Sequence, residues 1–205
     1  KDTKPTVFLA VPRIWTKFQM GILSKMPQSR LNILLKLPIV NGLIKKKIKE
    51  GLGLENAKYL LSGAAPLPVA TTNWFDHIGF RIYEAYAMTE NCAYSHLSLP
   101  NARKVGSVGC SLPFNEVRFS EEGEIQVKSA AIMVGYYKEP EKTAEMFDEK
   151  GWLKTGDLGE LNADGFLKIT GRKSEIFKTT TGKFVAPAFV EQQLMQSPFI
   201  SQCMA

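Results

Sequence analysis

Apolar and polar positions follow two different rhythms along this chain. Thr6-Val7-Phe8-Leu9-Ala10-Val11 is a short β-branched and apolar run ended by Pro12, and it predicts a buried strand. From 13 to 26 the apolar residues Ile14, Phe18 and Ile22 recur at helical spacing. A second helical pattern covers 31–48, interrupted or kinked at Pro38 and closed by Gly51 and Gly53. Residues 57–62 predict a strand running into the turn-like stretch Gly63-Ala64-Ala65-Pro66. A helix start is read at 68–75, and 80–86 predicts a further strand. This alternation implies a mainly parallel sheet with helices on its faces. In such sheets ligands bind where the carboxyl ends of strands open into loops, and Ser62-Gly63-Ala64-Ala65 and Ala87-Met88-Thr89-Glu90 fall at such ends.

After about residue 104 the rhythm shortens. Strands are predicted at 116–119, 123–129, 152–160 and 166–170, separated by Gly, Pro, Asn and Asp, which suggests an antiparallel, barrel-like subdomain. A third unit begins near Lys173, with a hairpin signal at Thr181-Gly182-Lys183 and a helix over 188–196. The expected fold class is therefore α/β, with divisions at 1–103, 104–172 and 173–205.

Composition sharpens this picture in three places. The 205 residues are 44% hydrophobic and 22% charged, ordinary for a globular protein with a sizeable core. No run approaches the ~20 apolar residues that span a bilayer. The opening Lys1-Asp2-Thr3-Lys4-Pro5 is no signal peptide, and both ends read as cuts in a longer protein. Cys92, Cys110 and Cys203 show no paired spacing, so buried free thiols in a reducing cytoplasm are expected rather than disulfides or a zinc site.

Charge is uneven. Residues 1–58 hold 12 Lys and Arg against 3 Asp and Glu, a balance of +9 within a net charge of +6. The basic excess is local, so no nucleic-acid partner is expected. Within it, Leu31, Leu34, Leu35, Val40, Leu43, Ile44 and Ile48 fall near one helical face, with Lys45, Lys46, Lys47 and Lys49 at its end. A packed helix with a solvated lysine end is the preferred reading. Peripheral contact with an anionic membrane through residues 31–49 is the alternative.

Four short segments could carry chemistry, and each has a plain structural reading beside it. A Thr89 hydroxyl at a strand end can donate to a phosphate oxygen, and the adjacent Glu90 carboxylate can hold Mg²⁺ bridging phosphates. The same pair could simply cap a helix. Tyr86 could lay its ring against a base. Asp157, in Thr155-Gly156-Asp157, could accept from both hydroxyls of a ribose diol, or make an ordinary Asx-turn. Arg172 after Gly171 could fork onto ribose or phosphate oxygens, or lie on the surface. The small residues Gly63, Ala64, Ala65 and Pro66 could let the backbone approach a base edge, or turn into a helix. His77 and His96 lie near no Ser or Cys arrangement that suggests a triad, so packed or surface roles are expected.

Taken in order, these segments resemble the AMP-forming acid–thiol ligases, the superfamily of acyl-CoA synthetases, firefly luciferase and nonribosomal adenylation domains. Tyr86-Ala87-Met88-Thr89-Glu90 is similar to its YGxTE motif. Gly123-Glu124-Ile125 through Gly135-Tyr136 resembles GEI…GY, and Gly151 to Asp157 resembles GWxxTGD. Asp164 to Lys173, with Ile176-Phe177-Lys178, Gly182 to Pro187 and Val11 to Trp15, looks most like the long-chain fatty acyl branch. The resemblance implies the end of a large adenylate-forming N-terminal domain plus the start of a small α+β C-terminal domain. It implies an enzyme that activates a fatty acid with ATP and Mg²⁺ through an acyl-adenylate and passes the acyl group to coenzyme A. Tyr86 would stack on adenine, with Gly63, Ala64, Ala65 and Pro66 along its edge and Ala87 and Met88 beside it. Thr89 would contact phosphate, Glu90 would hold Mg²⁺, and Asp157 and Arg172 would hold the ribose.

The resemblance also places a hinge on Ser174, where Asp or Lys is usual. Ala87 stands for the usual Gly, and Thr181 stands where Gly is common. A Gly/Ser/Thr-rich phosphate loop is expected upstream of Lys1 and an adenylating lysine beyond Ala205, so this chain alone should not adenylate. The implied location is cytoplasmic or peripheral at the inner face of a membrane. Two alternatives stay open: adenylation of another carboxylic acid with a carrier-protein acceptor, and a non-catalytic nucleotide-binding relative.

Overall fold

The computed structural model describes residues 2–178, 184–185, 187–194, 197, 200 and 203–204. They divide into two compact units, Lys1–Tyr83 and Glu84–Ala205.

In the first unit, strand β1 (Val7–Ala10) pairs in parallel with β2 (Tyr59–Ser62), Val7 opposite Tyr59 and Ala10 opposite Ser62. Helices α1 (Pro12–Lys25), α2 (Gln28–Lys36) and α3 (Pro38–Leu52) lie between them in sequence, and α4 (Val69–His77) follows β2. Pro12 opens α1, where its missing N–H and fixed φ do no harm. The Trp15 ring is fully buried, edge-on to Phe8 at 5.5 Å and to Phe75 at 5.3 Å. Leu31 and Leu35 of α2 join the same core, with Ile44 and Ile48 of α3 packed against it. Burying each such side chain contributes about 1.5–3 kcal/mol.

Two expectations need correction here. The single kinked helix over 31–48 is two helices. Leu37 is extended, at ψ 116, because a residue before proline is pushed out of the helical region, and Pro38 then opens α3. Asn41 caps the break by donating from Nδ2 to the Leu35 carbonyl at 2.8 Å. Strand β1 is not buried on both faces. Phe8 and Ala10 pack on the core, but Val7 and Leu9 are 53% and 65% exposed.

The boundary between units falls inside β3 (Ile82–Tyr86). In the second unit β3 pairs antiparallel with β4 (His96–Leu97), and β4 with β5 (Cys110–Ser111). Strands β6 (Glu116–Phe119), β7 (Glu124–Lys128), β8 (Leu153–Leu161) and β9 (Leu167–Arg172) form a four-stranded antiparallel sheet in that order. Ile125, Val127, Leu153 and Leu167 make its buried core. A short helix, α5 (Pro140–Glu145), is inserted between β7 and β8. Beyond β9, β10 (Phe177–Lys178) pairs with β11 (Phe184–Val185), and α6 spans Pro187–Leu194. The hairpin signal at Thr181-Gly182-Lys183 and the helix end at 195–196 lie outside the described residues. All three cysteines are free, yet none is buried: Cys92 is exposed and the other two are partly covered.

Candidate functional site

Three of the candidate side chains converge in the second unit. The register of β8 and β9 sets Asp157 directly opposite Arg172. Their side chains approach at 3.5 Å, Nε to Oδ1. Tyr86, at the end of β3, donates its hydroxyl proton to Asp157 Oδ2 at 2.9 Å. One carboxylate therefore joins residues 71 positions apart in sequence. The register slips between Leu158 and Gly159, a bulge that redirects the strand beside Asp157.

The backbone around Asp157 is tightly held. Gly156 sits at φ 74, a left-handed conformation that glycine adopts without steric cost, and donates its N–H to Glu124 Oε1 at 3.0 Å. The buried Thr155 hydroxyl donates to the Ile125 carbonyl at 2.8 Å and accepts from the Asp157 N–H at 3.1 Å. Burial raises the Asp157 carboxyl above its ordinary range, opposed by the Tyr86 hydrogen bond and the Arg172 charge. Burial, and then the Asp157 charge, push the Tyr86 phenol far up, so it stays a proton donor. The Tyr86 ring also lies 6.0 Å from that of His96. His96 is buried, and that burial pushes its imidazole down to about 4.

Thr89 and Glu90 occupy a single 3-10 turn, Thr89–Asn91, right after β3. Neither caps a helix. The turn is closed by Asn91 Oδ1, which accepts from the Met88 N–H at 3.0 Å. Thr89 is exposed, and Glu90 is half-buried. Glu90 Oε1 accepts from the Tyr136 hydroxyl at 2.7 Å. The Met88 side chain is partly buried against the β-sheet core, and Ala87 is half-buried beside it.

Gly63, Ala64, Ala65 and Pro66 belong to the other compact unit. They follow β2 as an open bend, and Ala64 is held at φ 67, a conformation that costs an alanine roughly 1 kcal/mol or more. Ala64, Ala65 and Pro66 are exposed. The helix after them starts at Val69, so Pro66 is not its first residue. Just before the bend, Ser62 Oγ is buried with no hydrogen-bond partner among the described residues.

Ser174 is exposed in a one-turn 3-10 segment, Lys173–Glu175, directly after β9. Its neighbour Lys173 reaches Glu122 Oε2 at 2.5 Å and Glu124 Oε2 at 3.6 Å. Glu124 thus links the Gly156 backbone to the start of the hinge candidate. Neither Glu124 nor Tyr136 stands out as a site residue in sequence. Their only signal is membership of the GEI…GY motif, because their partners are 32 and 46 residues away.

Among the described residues no group of three or more His, Cys, Asp and Glu could cage a metal. A single carboxylate still suits Mg²⁺, which keeps waters and commonly takes one or two carboxylates plus substrate phosphates. Glu90 fits that role, since Tyr136 engages only one of its oxygens.

Comparison with known proteins places the chain in a family. The chain is 33% identical to a protein named putative fatty-acid–CoA ligase fadD11 from Mycobacterium tuberculosis, over 100% of this chain and 41% of that one. It is 35% identical to long-chain-fatty-acid–CoA ligase FadD15 of Mycobacterium bovis, over 97% of this chain and 37% of the relative. The chain therefore spans about two-fifths of the length of these relatives. Among solved structures, o-succinylbenzoate CoA synthetase of Bacillus subtilis, bound to its acyl-adenylate, matches with a TM-score of 0.73 and 25% identity over 98% of this chain and 38% of that one. Residues 1–137 match the family described as AMP-binding enzyme, and the chain belongs to that family.

Proposed function

We propose that this chain is part of an AMP-forming acid–CoA ligase whose acid is a long-chain fatty acid. The observation that carries the reading is Asp157, in the middle of β8, joined to Tyr86 at the end of β3 and Arg172 at the end of β9. In the first step a fatty carboxylate oxygen attacks the α-phosphorus of ATP, and pyrophosphate leaves with the electron pair of the broken P–O bond. In the second, the CoA thiol gives up its proton and its sulfur attacks the acyl carbon, releasing AMP.

Within that scheme the Asp157 carboxylate accepts from the ribose hydroxyls, and Arg172 opposes the effect of burial on that carboxylate and donates to the ribose. Tyr86, fixed at its hydroxyl end, offers a ring face to adenine. Ala87 and Met88 contribute backbone beside it. Thr89, exposed after the strand, donates to phosphate, and Glu90 holds Mg²⁺. The ion supplies charge neutralisation on the phosphates. The rest is positioning. We assign residues 1–103 and 104–172 to the large domain and 173–205 to the start of a smaller one, with the hinge at Ser174.

The long-chain preference is supported by the names of the curated relatives. An aromatic acid is the second reading, favoured by the o-succinylbenzoate enzyme among the structural neighbours. Peripheral membrane contact through 31–49 is supported by Ile33, Leu37, Ile39 and Leu43, which are 64%, 47%, 83% and 57% exposed. The exposed Lys36, Lys46 and Lys47 accompany them. Lys45 and Lys49 instead turn onto Gly79 and the Phe80 ring, so only part of the lysine cluster is solvated. No described helix is long and apolar enough to cross a membrane.

Acid-dependent ATP–pyrophosphate exchange by the full-length protein tests the reading. Exchange that rises with fatty-acid chain length is expected. Exchange confined to aromatic acids would move the assignment to the second reading. Nucleotide binding with no exchange for any acid would identify a non-catalytic relative.

A further inference from the structure

Tyr136 is pinned from several sides. Its backbone N–H donates to Thr143 Oγ1 at 2.9 Å, and that hydroxyl donates in turn to the Glu139 carbonyl at 2.8 Å. Thr143 comes so close to Gly135 that a Cβ there would lie 2.8 Å from its methyl group, so a side chain at 135 would push the two segments apart. The Lys142 ammonium sits 4.9 Å from the centroid of the Tyr136 ring. From this anchored position the Tyr136 hydroxyl donates to Glu90 Oε1 at 2.7 Å. A second tie is made by the main chain, where the Met133 N–H donates to the Glu90 carbonyl at 2.7 Å. Residues 133–143 therefore grip Glu90 through both its backbone and its side chain.

Glu90 needs such a grip. It stands in a single 3-10 turn beside the exposed Thr89, with no helix to fix its side chain. Ordering a Glu side chain costs up to ~2 kcal/mol in rotamer freedom. A carboxylate has about four acceptor sites on two oxygens, so it can accept from a phenol on one and bind a cation with the other. Outer partners of this kind orient metal-binding carboxylates.

We propose that Tyr136 is a positioning residue for the metal site: it fixes Glu90 through Oε1 so that Oε2 is presented to the divalent cation of bound ATP. This rests on the reading of Glu90 as the Mg²⁺ ligand. The test is Mn²⁺ binding by the full-length protein with ATP and no carboxylic acid, reading free Mn²⁺ by its paramagnetic resonance signal. Wild type, Glu90→Gln, Tyr136→Phe and the double variant are compared. The Phe variant keeps the ring and the Lys142 contact, and its AMP affinity without metal reports that the nucleotide site is intact. Tyr136→Phe should weaken Mn²⁺ binding about tenfold, leave AMP affinity unchanged, and add no loss in the Glu90→Gln background. Unchanged Mn²⁺ affinity in Glu90→Gln would overturn the ligand assignment itself. A weakened Glu90→Gln beside a Tyr136→Phe that binds as well as wild type or better would overturn only the role of Tyr136. So would an equal Tyr136→Phe loss with and without Glu90.

Discussion

Residues 2–83 and residues 84–178 reach order by different means. In the first unit Trp15, Phe8, Phe18 and Phe75 pack ring on ring, and the fully buried Trp15 and Phe75 are close to its centre. In the second, the hydrophobic centre is only four fully buried aliphatics, and many ties are polar: Thr155 to Ile125, Gly156 to Glu124, Tyr86 to Asp157, Tyr136 to Glu90. The candidate chemistry is concentrated where polar bonds set the geometry. Packing is tolerant of small shifts, whereas a hydrogen bond fixes a distance and a direction. A substitution in the first unit should therefore act on stability, and one in the second on ligand affinity and pH response.

The largest effect expected is from Trp15→Ala, about 3–5 kcal/mol of unfolding free energy by chemical denaturation, because it empties the aromatic cluster. A loss below 1 kcal/mol would remove the packing side of the contrast. Next comes a pH effect in the second unit. Burial holds His96 down to about 4, against an ordinary value of 6.5. Between those values the unfolded imidazole takes a proton that the folded one refuses. Stability is complete above pH 6.5 and falls as the pH drops towards 4, by on the order of 3 kcal/mol. His96→Gln should lack that share of the acid loss, read from denaturation midpoints across the range.

Asp157→Asn should weaken AMP binding by about 2–3 kcal/mol while costing little stability, measured by isothermal titration alongside denaturation. A variant that unfolds more than it loses affinity would make Asp157 a structural residue. The smallest effect is Asn41→Ala, which frees the Leu35 carbonyl at the break between α2 and α3 and should cost about 1 kcal/mol.

The same contrast governs what the sequence disclosed. Local grammar carried well: β6 falls at 116–119 as read, and α1, β2 and β9 lie within two residues of expectation at most boundaries. Motif order pointed to the AMP-binding family and to Tyr86, Asp157 and Arg172, which the fold then brings together. What stayed hidden is non-local or weakly patterned. The bond from Glu90 to Tyr136 crosses 46 residues and has no periodicity to betray it. Helix α5 is six residues of mostly polar sequence opened by Pro140, too short for a helical stripe. The split at Leu37 was available from the proline rule, but continuous helical spacing on both sides concealed it. Exposure of Val7 and Leu9 could not be read, since an apolar strand looks the same whichever of its faces is covered.

The central claim is that Asp157 reads the ribose diol of a nucleotide. The direct test is binding of AMP and of 2′,3′-dideoxy-AMP by wild-type protein and by Asp157→Asn. The account predicts that wild type prefers AMP at least about tenfold and that Asp157→Asn abolishes the preference by weakening AMP alone. Equal binding of both nucleotides by wild type, or a preference that survives Asp157→Asn, would contradict it.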